Sequence, residues 1–433
     1  MTPTAPPRAI SAIKPWLFVP VLYVMEAMPT TWVREVSTLV YKDFQVSNTQ
    51  IAFWVSLLGL PWMLKPLWAP LLDVTGSRRK WMLGAQALIT LLLAALAFSW
   101  GLPGFLPISI ALLLVLGVAS ATHDAALDGL YLLSLDKTQQ AYFVGVQTAS
   151  YRAGRLLCIG ALVLLAGILQ NRGMGIAASW TATFGVGAAL YGLGALYAMR
   201  FAPRPAGDVP VPRQPKEVPF LEAFLSFFTQ RGILAVLSFI LFYRFAEAMV
   251  SMMAPLFYRD PAKAGGMGLS VAQVGVISGV AGIVGIILGG IAGGAFIGRF
   301  GLRRSIWLLL AAMHAPNLLY LWAAATQPPS WTLYGVAFVD QFGYGFGFAG
   351  YSVFLMRVAQ RGAYRTSHYA IATGLGAFTI MLAGMVSGWL QGCLGYVGLF
   401  TVVCLAAIPG LLTLLIIPRD DQGEDQTGEA VSG

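Results

Sequence analysis

Gly59-Leu60-Pro61-Trp62-Met63-Leu64-Lys65-Pro66-Leu67-Trp68-Ala69-Pro70-Leu71-Leu72-Asp73-Val74-Thr75-Gly76-Ser77-Arg78-Arg79-Lys80 is an apolar run that stops in a charged turn. It completes one apolar segment, 50–72, and the next, 81–101, begins directly after the turn. A helix of about 20 apolar residues crosses a hydrocarbon core of roughly 30 Å. The stretch therefore reads as the end of one transmembrane helix, a short basic loop and the start of another.

The same pattern continues in both directions. Across 433 residues, 58% are apolar and 10% charged, too little polar surface to coat a soluble globule. Apolar segments fall at 15–40, 50–72, 81–101, 105–134, 140–169, 176–200, 231–257, 270–298, 304–325, 330–357, 366–392 and 395–418, which predicts twelve transmembrane helices. Turn chemistry separates them, as at Gly101-Leu102-Pro103-Gly104, Gln327-Pro328-Pro329-Ser330 and Gly392-Cys393-Leu394-Gly395. The expected fold is an all-α membrane protein of two six-helix bundles, 1–200 and 231–418, joined by a Pro-rich linker over 201–230. The acidic stretch 419–433 reads as a disordered tail.

A net charge of +9 raises the question of nucleic acid, but in such a chain the placement of the basic residues matters more than their sum. Arg78, Arg79, Lys80, Lys137, Arg200, Arg204, Arg299, Arg303, Arg304, Arg357 and Arg361 fall at loops on one side; Lys42, Arg172, Arg259 and Lys263 fall on the other. The positive-inside rule puts both termini and the linker in the cytoplasm, and a nucleic-acid role drops out. Cys158, Cys393 and Cys404 have neither disulfide-framework nor metal-ligand spacing and read as packing residues, with no metal or cofactor expected. The first segment is too long for a signal-peptide core and carries Glu26, Arg34 and Glu35, so it is expected to stay uncleaved.

The halves echo one another. Glu26-Ala27-Met28 returns as Glu247-Ala248-Met249, and Leu39-Val40-Tyr41-Lys42-Asp43 as Leu256-Phe257-Tyr258-Arg259-Asp260. Ser47 with Gln50 returns as Ser270 with Gln273, and Gly76-Ser77-Arg78-Arg79 as Gly301-Leu302-Arg303-Arg304. Ordered matches at a near-constant offset indicate duplication, and duplicated transporter folds bind their substrate near the bilayer midplane between repeats.

An ionisable side chain at mid-bilayer costs at least about 2.5 kcal/mol and faces a partner, water or the bundle interior. Glu26, Lys65, His123, Asp124, Asp128, Arg152, Arg155, Arg244, Glu247 and Asp340 are such residues. Asp124 and Asp128 share one helix face, as do Arg152 and Arg155. Folding the fourth and fifth helices back about residue 137 brings Asp124 and Arg152 to similar depth, so a pair between them is expected, with Arg244 and Glu247 as a second pair. Such pairs can be purely structural. The remaining Glu26, Lys65 and Asp128 have no evident partner, which favours proton coupling through Asp124, Asp128 and Glu26; His123 is either a shuttle or a hydrogen-bonded packing residue. Lys65, Arg152, Arg155 and Arg244 are expected to bind anionic groups of a substrate, with Glu247, Asp340 and Tyr344 beside them. Phe342-Gly343-Tyr344-Gly345-Phe346-Gly347-Phe348 offers rings that stack on a sugar or a planar ligand, or simply pack, and glycines that permit close helix approach.

The turn Pro70 to Lys80 resembles the loop motif of the major facilitator superfamily, Gly-x-x-x-Asp-x-x-Gly-Arg-Arg/Lys, with Pro70 in place of the first glycine. That resemblance implies a cytoplasmic latch of Asp73, Arg78 and Arg79, echoed by Arg303 and Arg304 in a second copy that lacks the acid. The run Gly59 to Asp73, with Ala121-Thr122-His123-Asp124-Ala125-Ala126-Leu127-Asp128-Gly129, Tyr151-Arg152-Ala153-Gly154 and Thr366-Ser367-His368-Tyr369-Ala370, is similar to AmpG-type muropeptide permeases. The resemblance implies a bacterial inner-membrane transporter that imports GlcNAc–anhydro-MurNAc peptides with the proton motive force; the chain is expected to act as a monomer and not as an enzyme. The same family holds siderophore importers, so an organic-anion cargo is the alternative. A membrane-embedded transferase using His123 and Asp124 is a third reading, from a different class.

Overall fold

A computed structural model describes residues 14–209, 220–361 and 364–417. The expected tail 419–433, linker residues 210–219 and the side chain of Asp73 lie outside the described residues. Among the described residues every regular element is helical.

Nine of these helices are long and apolar enough to cross a membrane: Pro15–Asp43, Asn48–Ala69, Arg78–Ser99, Phe105–Ser134, Thr138–Asn171, Ile176–Phe201, Ile233–Arg259, Val271–Thr326 and His368–Ile416. They are called the first to ninth spans below. The eighth and ninth are continuous only by hydrogen bonding: Gly301 (φ 74°) and Gly395 (φ 67°) leave the helical region within them. Both breaks fall where the sequence places a turn, at residues able to adopt a positive φ without a Cβ clash. A further helix, Thr332–Gln360, holds the Phe-Gly repeat. Cys393, expected to pack, is instead exposed beside the Gly395 break, whereas Cys158 is buried.

The chain divides into two compact units, Met1–Val40 with Leu64–Pro215 and Tyr41–Met63 with Lys216–Gly433. In the first unit, the third span packs on the fourth and sixth, and the first packs on Lys137–Arg155 of the fifth. A Cβ on Gly154 would run into the Val24 carbonyl, so the absence of a side chain there sets how closely the fifth span approaches the first. Both helices then widen into π turns, at Trp32–Val36 and Leu156–Leu162. Such turns are rare and occur often at functional sites. Trp32, Trp100 and Trp180 close the core around Phe184.

In the second unit, the eighth span lies against Thr332–Gln360, with Gly285, Gly289 and Gly293 facing the backbones of Phe338, Phe342 and Phe346. Phe239, Tyr243, Ile306, Leu309, Met313, Tyr351 and Phe354 form its apolar core. The hairpin Tyr41–Met63 packs on the ninth span, where Thr49 donates to the Gly388 carbonyl at 3.1 Å. The repeat noted in the sequence is also a repeat of local structure. Ser47 and Ser270 each N-cap a helix by accepting from the backbone N–H three residues on, Gln50 or Gln273.

Candidate functional site

In the first unit, ionisable residues of three spans meet. Lys65 Nζ stands 2.5 Å from Asp124 Oδ2, across the second and fourth spans. Trp68, one turn beyond Lys65, donates its indole N–H to Thr122 at 3.2 Å and so holds these two helices in register. Glu26, Asp124 and Asp128 each bring a carboxylate oxygen within 4.8 Å of the others. That spacing suits a shared cation, and the Lys65 ammonium already serves Asp124. Tyr23 donates to Asp128 Oδ1 at 3.1 Å, whereas Glu26 Oε2 is buried without a hydrogen-bond partner.

Two pairs appear that the sequence did not offer. Asp124 takes Lys65, for which the sequence offered no partner, and Arg155 is held by Glu35 of the first span through two bonds of 2.8 and 3.1 Å. The pair lies where the two π turns meet. Arg152 sits on the same helix one turn before it, half-buried. Packing between the second and fourth spans, and not hairpin neighbourhood, brings Lys65 to Asp124. His123 is fully buried and its Nε2 lies 3.0 Å from Gln86 of the third span, the arrangement of a packed histidine.

In the second unit, the seventh span is interrupted at Arg244, whose backbone (φ −110°, ψ 0°) ends Ile233–Tyr243 and begins Phe245–Arg259. The Tyr243 carbonyl released by the break accepts from His314 Nε2 at 3.1 Å. The Arg244 guanidinium donates to the Tyr344 hydroxyl at 2.9 Å and lies 3.7 Å from Glu247, the partner expected for it. Its carbon stands 4.9–5.6 Å from the ring centroids of Tyr344, Phe348 and Tyr351, within range of cation–π attraction. An arginine framed by rings can receive an anionic group on a flat or cyclic ligand. Asp340 lies elsewhere, deeply buried, accepting from Tyr320 at 3.3 Å and from Gln341 at 3.0 Å.

At the charged turn, the backbone N–H groups of Arg78 and Arg79 donate to Asp208 at 2.6 and 3.0 Å, so a carboxylate from the linker caps the third span. The Arg79 side chain donates to the Met199 carbonyl at 2.7 Å. Arg78 crosses Gly129, where a Cβ would stand 2.5 Å from its Cδ. Arg303 and Arg304 are exposed. Sequence reasoning missed Tyr23 and Asp208. Tyr23 precedes Glu26 by three residues, a spacing that would have put both on one helix face, but nothing in the linker distinguished Asp208.

Helices long and apolar enough to cross a membrane, with ionisable side chains gathered inside each of two compact units, are the make-up of a membrane transporter. The chain belongs to the Major Facilitator Superfamily, whose pattern it matches over residues 16–387. It is 25% identical over 367 residues to the anhydromuropeptide permease of Escherichia coli strain K12, covering 83% of this chain and 71% of the relative. An uncharacterized Haemophilus influenzae protein is 27% identical over 384 residues, 85% of this chain and 86% of the relative. Among solved structures, the nucleoside transporter NupG (D323A mutant) superposes with a TM-score of 0.69 at 15% identity, covering 93% of this chain and 99% of that one. A bacterial homologue of the human lysosomal transporter Spinster superposes with a TM-score of 0.64 at 16% identity, covering 92% and 95%. The expected likeness to AmpG-type permeases is thus met, and the solved structures agree in fold.

Proposed function

We propose that this chain imports anhydro-muropeptides across the bacterial inner membrane with protons, by alternating access. The observation that carries the coupling is the cluster of Glu26, Asp124 and Asp128, three carboxylates within 4.8 Å facing one ammonium, Lys65. Fully ionised, it holds an excess of negative charge, and each carboxylate pair repels by on the order of 3 kcal/mol at an effective dielectric near 20. A proton taken up from the outer side removes that excess. A proton arriving on Asp124 also frees Lys65, so loading rearranges the contact between the second and fourth spans.

Twelve crossings are part of this reading, supported by nine candidate spans, two of them broken at Gly301 and Gly395, and by Thr332–Gln360 in addition. Cytoplasmic termini belong to the same reading, favoured by the basic turns at Arg78–Lys80 and Arg303–Arg304 under the positive-inside rule. The muropeptide cargo follows from the name of the Escherichia coli relative. In the second unit Arg244 takes a carboxylate of the cargo while Tyr344 and Phe348 offer faces to its sugar rings. The same ring-framed arginine favours, as a second reading, an aromatic organic anion such as a phenolate siderophore.

The test is uptake of labelled GlcNAc–anhydro-MurNAc–tripeptide by purified protein in liposomes, with and without an imposed pH gradient. Gradient-driven uptake that Asp128→Asn abolishes supports cargo and coupling together. Folded protein that takes up none of it sinks the muropeptide cargo and moves ferric siderophores to the front.

A further inference from the structure

The duplicated dipeptides Lys42-Asp43 and Arg259-Asp260 each end a helix, and they pair crosswise. Lys42 forms an ion pair with Asp260, and Arg259 Nη2 stands 2.5 Å from Asp43 Oδ1. Asp43 is buried, its side chain 1% exposed. Around Asp260, Asn48 and Tyr396 each donate to Oδ2 at 2.6 Å, and Asn48 also accepts from Lys42 at 2.8 Å. Arg259 is steadied by the Leu269 carbonyl, in a loop that folds back so that Gly268 N–H reaches the Asp260 carbonyl at 2.7 Å. Two cations and two anions thus form a neutral set, the carboxylates buried and the cations half-buried. Losing either partner of such a pair leaves an uncompensated charge, which is far costlier than losing the pair.

We infer that Lys42, Asp43, Arg259 and Asp260 form an outer latch that clamps the hairpin Tyr41–Met63 onto the rest of the second unit and parts once in each transport cycle. The inference rests on the alternating-access reading. The hairpin is the outer end of the first two spans, whose inner portions belong to the other unit, so the chain passes from one compact body to the other at Val40–Tyr41 and again at Met63–Leu64. An opening on this side has to separate the hairpin from the ninth span, where Thr49, Ala52 and Ser56 lie against Gly388 and Gly384. Hydrogen-bonded ion pairs suit a reversible closure: they release polar groups that water can solvate, where an apolar seam of equal area would expose hydrocarbon.

Ala52, fully buried under this clamp, provides the readout. In protein carrying Cys158→Ser, Cys393→Ser and Cys404→Ser, Ala52→Cys is alkylated with a membrane-impermeant maleimide applied from outside. Asp43→Asn and Arg259→Gln are each expected to raise the rate about tenfold or more, as loss of one member of a buried pair implies. The exchange Asp43→Arg with Arg259→Asp is expected to bring it back toward the parent. Single variants that label at the parental rate, or an exchange that labels as fast as either single change, overturn the latch. Should the charge variants fail to fold, Tyr396→Phe removes one donor to Asp260 without altering charge; it is expected to speed labelling about threefold, and an unchanged rate overturns the proposal. Labelling needs no cargo. A wrong cargo leaves these responses in place with no uptake, whereas a wrong latch leaves uptake with flat labelling.

Discussion

Lys65 on the second span and Asp124 on the fourth are bonded at 2.5 Å, and two further carboxylates, Glu26 and Asp128, stand within reach of the same acid. Lys65 therefore balances a group of acids and not a single partner. Lys65→Ala is expected to abolish gradient-driven uptake and lower the apparent Tm. Asp124→Asn is expected to do the same, and the double variant to be no worse than either. Coupling of this kind between contacting residues amounts to about 0.5–3 kcal/mol. A double-mutant cycle on Tm and uptake measures it, and strict additivity would show that the two residues act independently.

Arg244 differs from Lys65 in being held by rings and a hydroxyl as well as by Glu247. A lysine keeps the charge but loses the planar fork that reaches Tyr344 and stacks on Phe348. Arg244→Lys is expected to raise KM for the cargo about tenfold, the equivalent of about 1.4 kcal/mol, with a smaller change in maximal uptake. Concentration-dependent uptake in liposomes separates the two. A fall confined to maximal rate would place Arg244 outside cargo recognition.

Asp208 caps the third span through the backbone N–H groups of Arg78 and Arg79. Replacing such a cap by alanine costs about 0.5–2 kcal/mol. Asp208→Ala is expected to lower the apparent Tm and to increase protease cleavage in the linker, both measurable on purified protein. Asp208→Asn, which keeps an acceptor oxygen, is expected to fall between the two.

What the sequence disclosed and what it withheld divide along a physical line. Helical spans, breaks at Gly301 and Gly395, and the duplicated Ser–Gln caps depend on residues close together in the chain, and each was legible there. The Arg244–Glu247 pair was legible for the same reason, since three residues on a helix share a face. The Lys65–Asp124 contact was hidden, because it joins the second and fourth spans, which are not consecutive in the chain. Glu35–Arg155 was equally hidden, as it needs the close approach at Gly154 and the two widened turns. The crosswise pairing of Lys42 with Asp260 and Asp43 with Arg259 stood in the sequence as a repeat, though nothing in a repeat says that its copies exchange partners.

The Phe-Gly segment yields the last prediction, because its ambiguity between ligand stacking and close packing resolves at the glycines. On the eighth span, a Cβ at Gly289 would strike the Phe342 carbonyl, whereas one at Gly294, five residues along, meets nothing within 4 Å. Gly289→Ala must push two helix backbones apart, and overpacking of this kind costs about 1–3 kcal/mol. Gly294→Ala pays no such penalty and gains helix propensity, up to about 1 kcal/mol. Thermal unfolding in detergent is expected to show a lower Tm for Gly289→Ala and an unchanged or higher Tm for Gly294→Ala. Equal Tm values for the two variants would mean that the helices are not in backbone contact at Gly289, and the rings of Phe338, Phe342 and Phe346 would then need another account of their spacing.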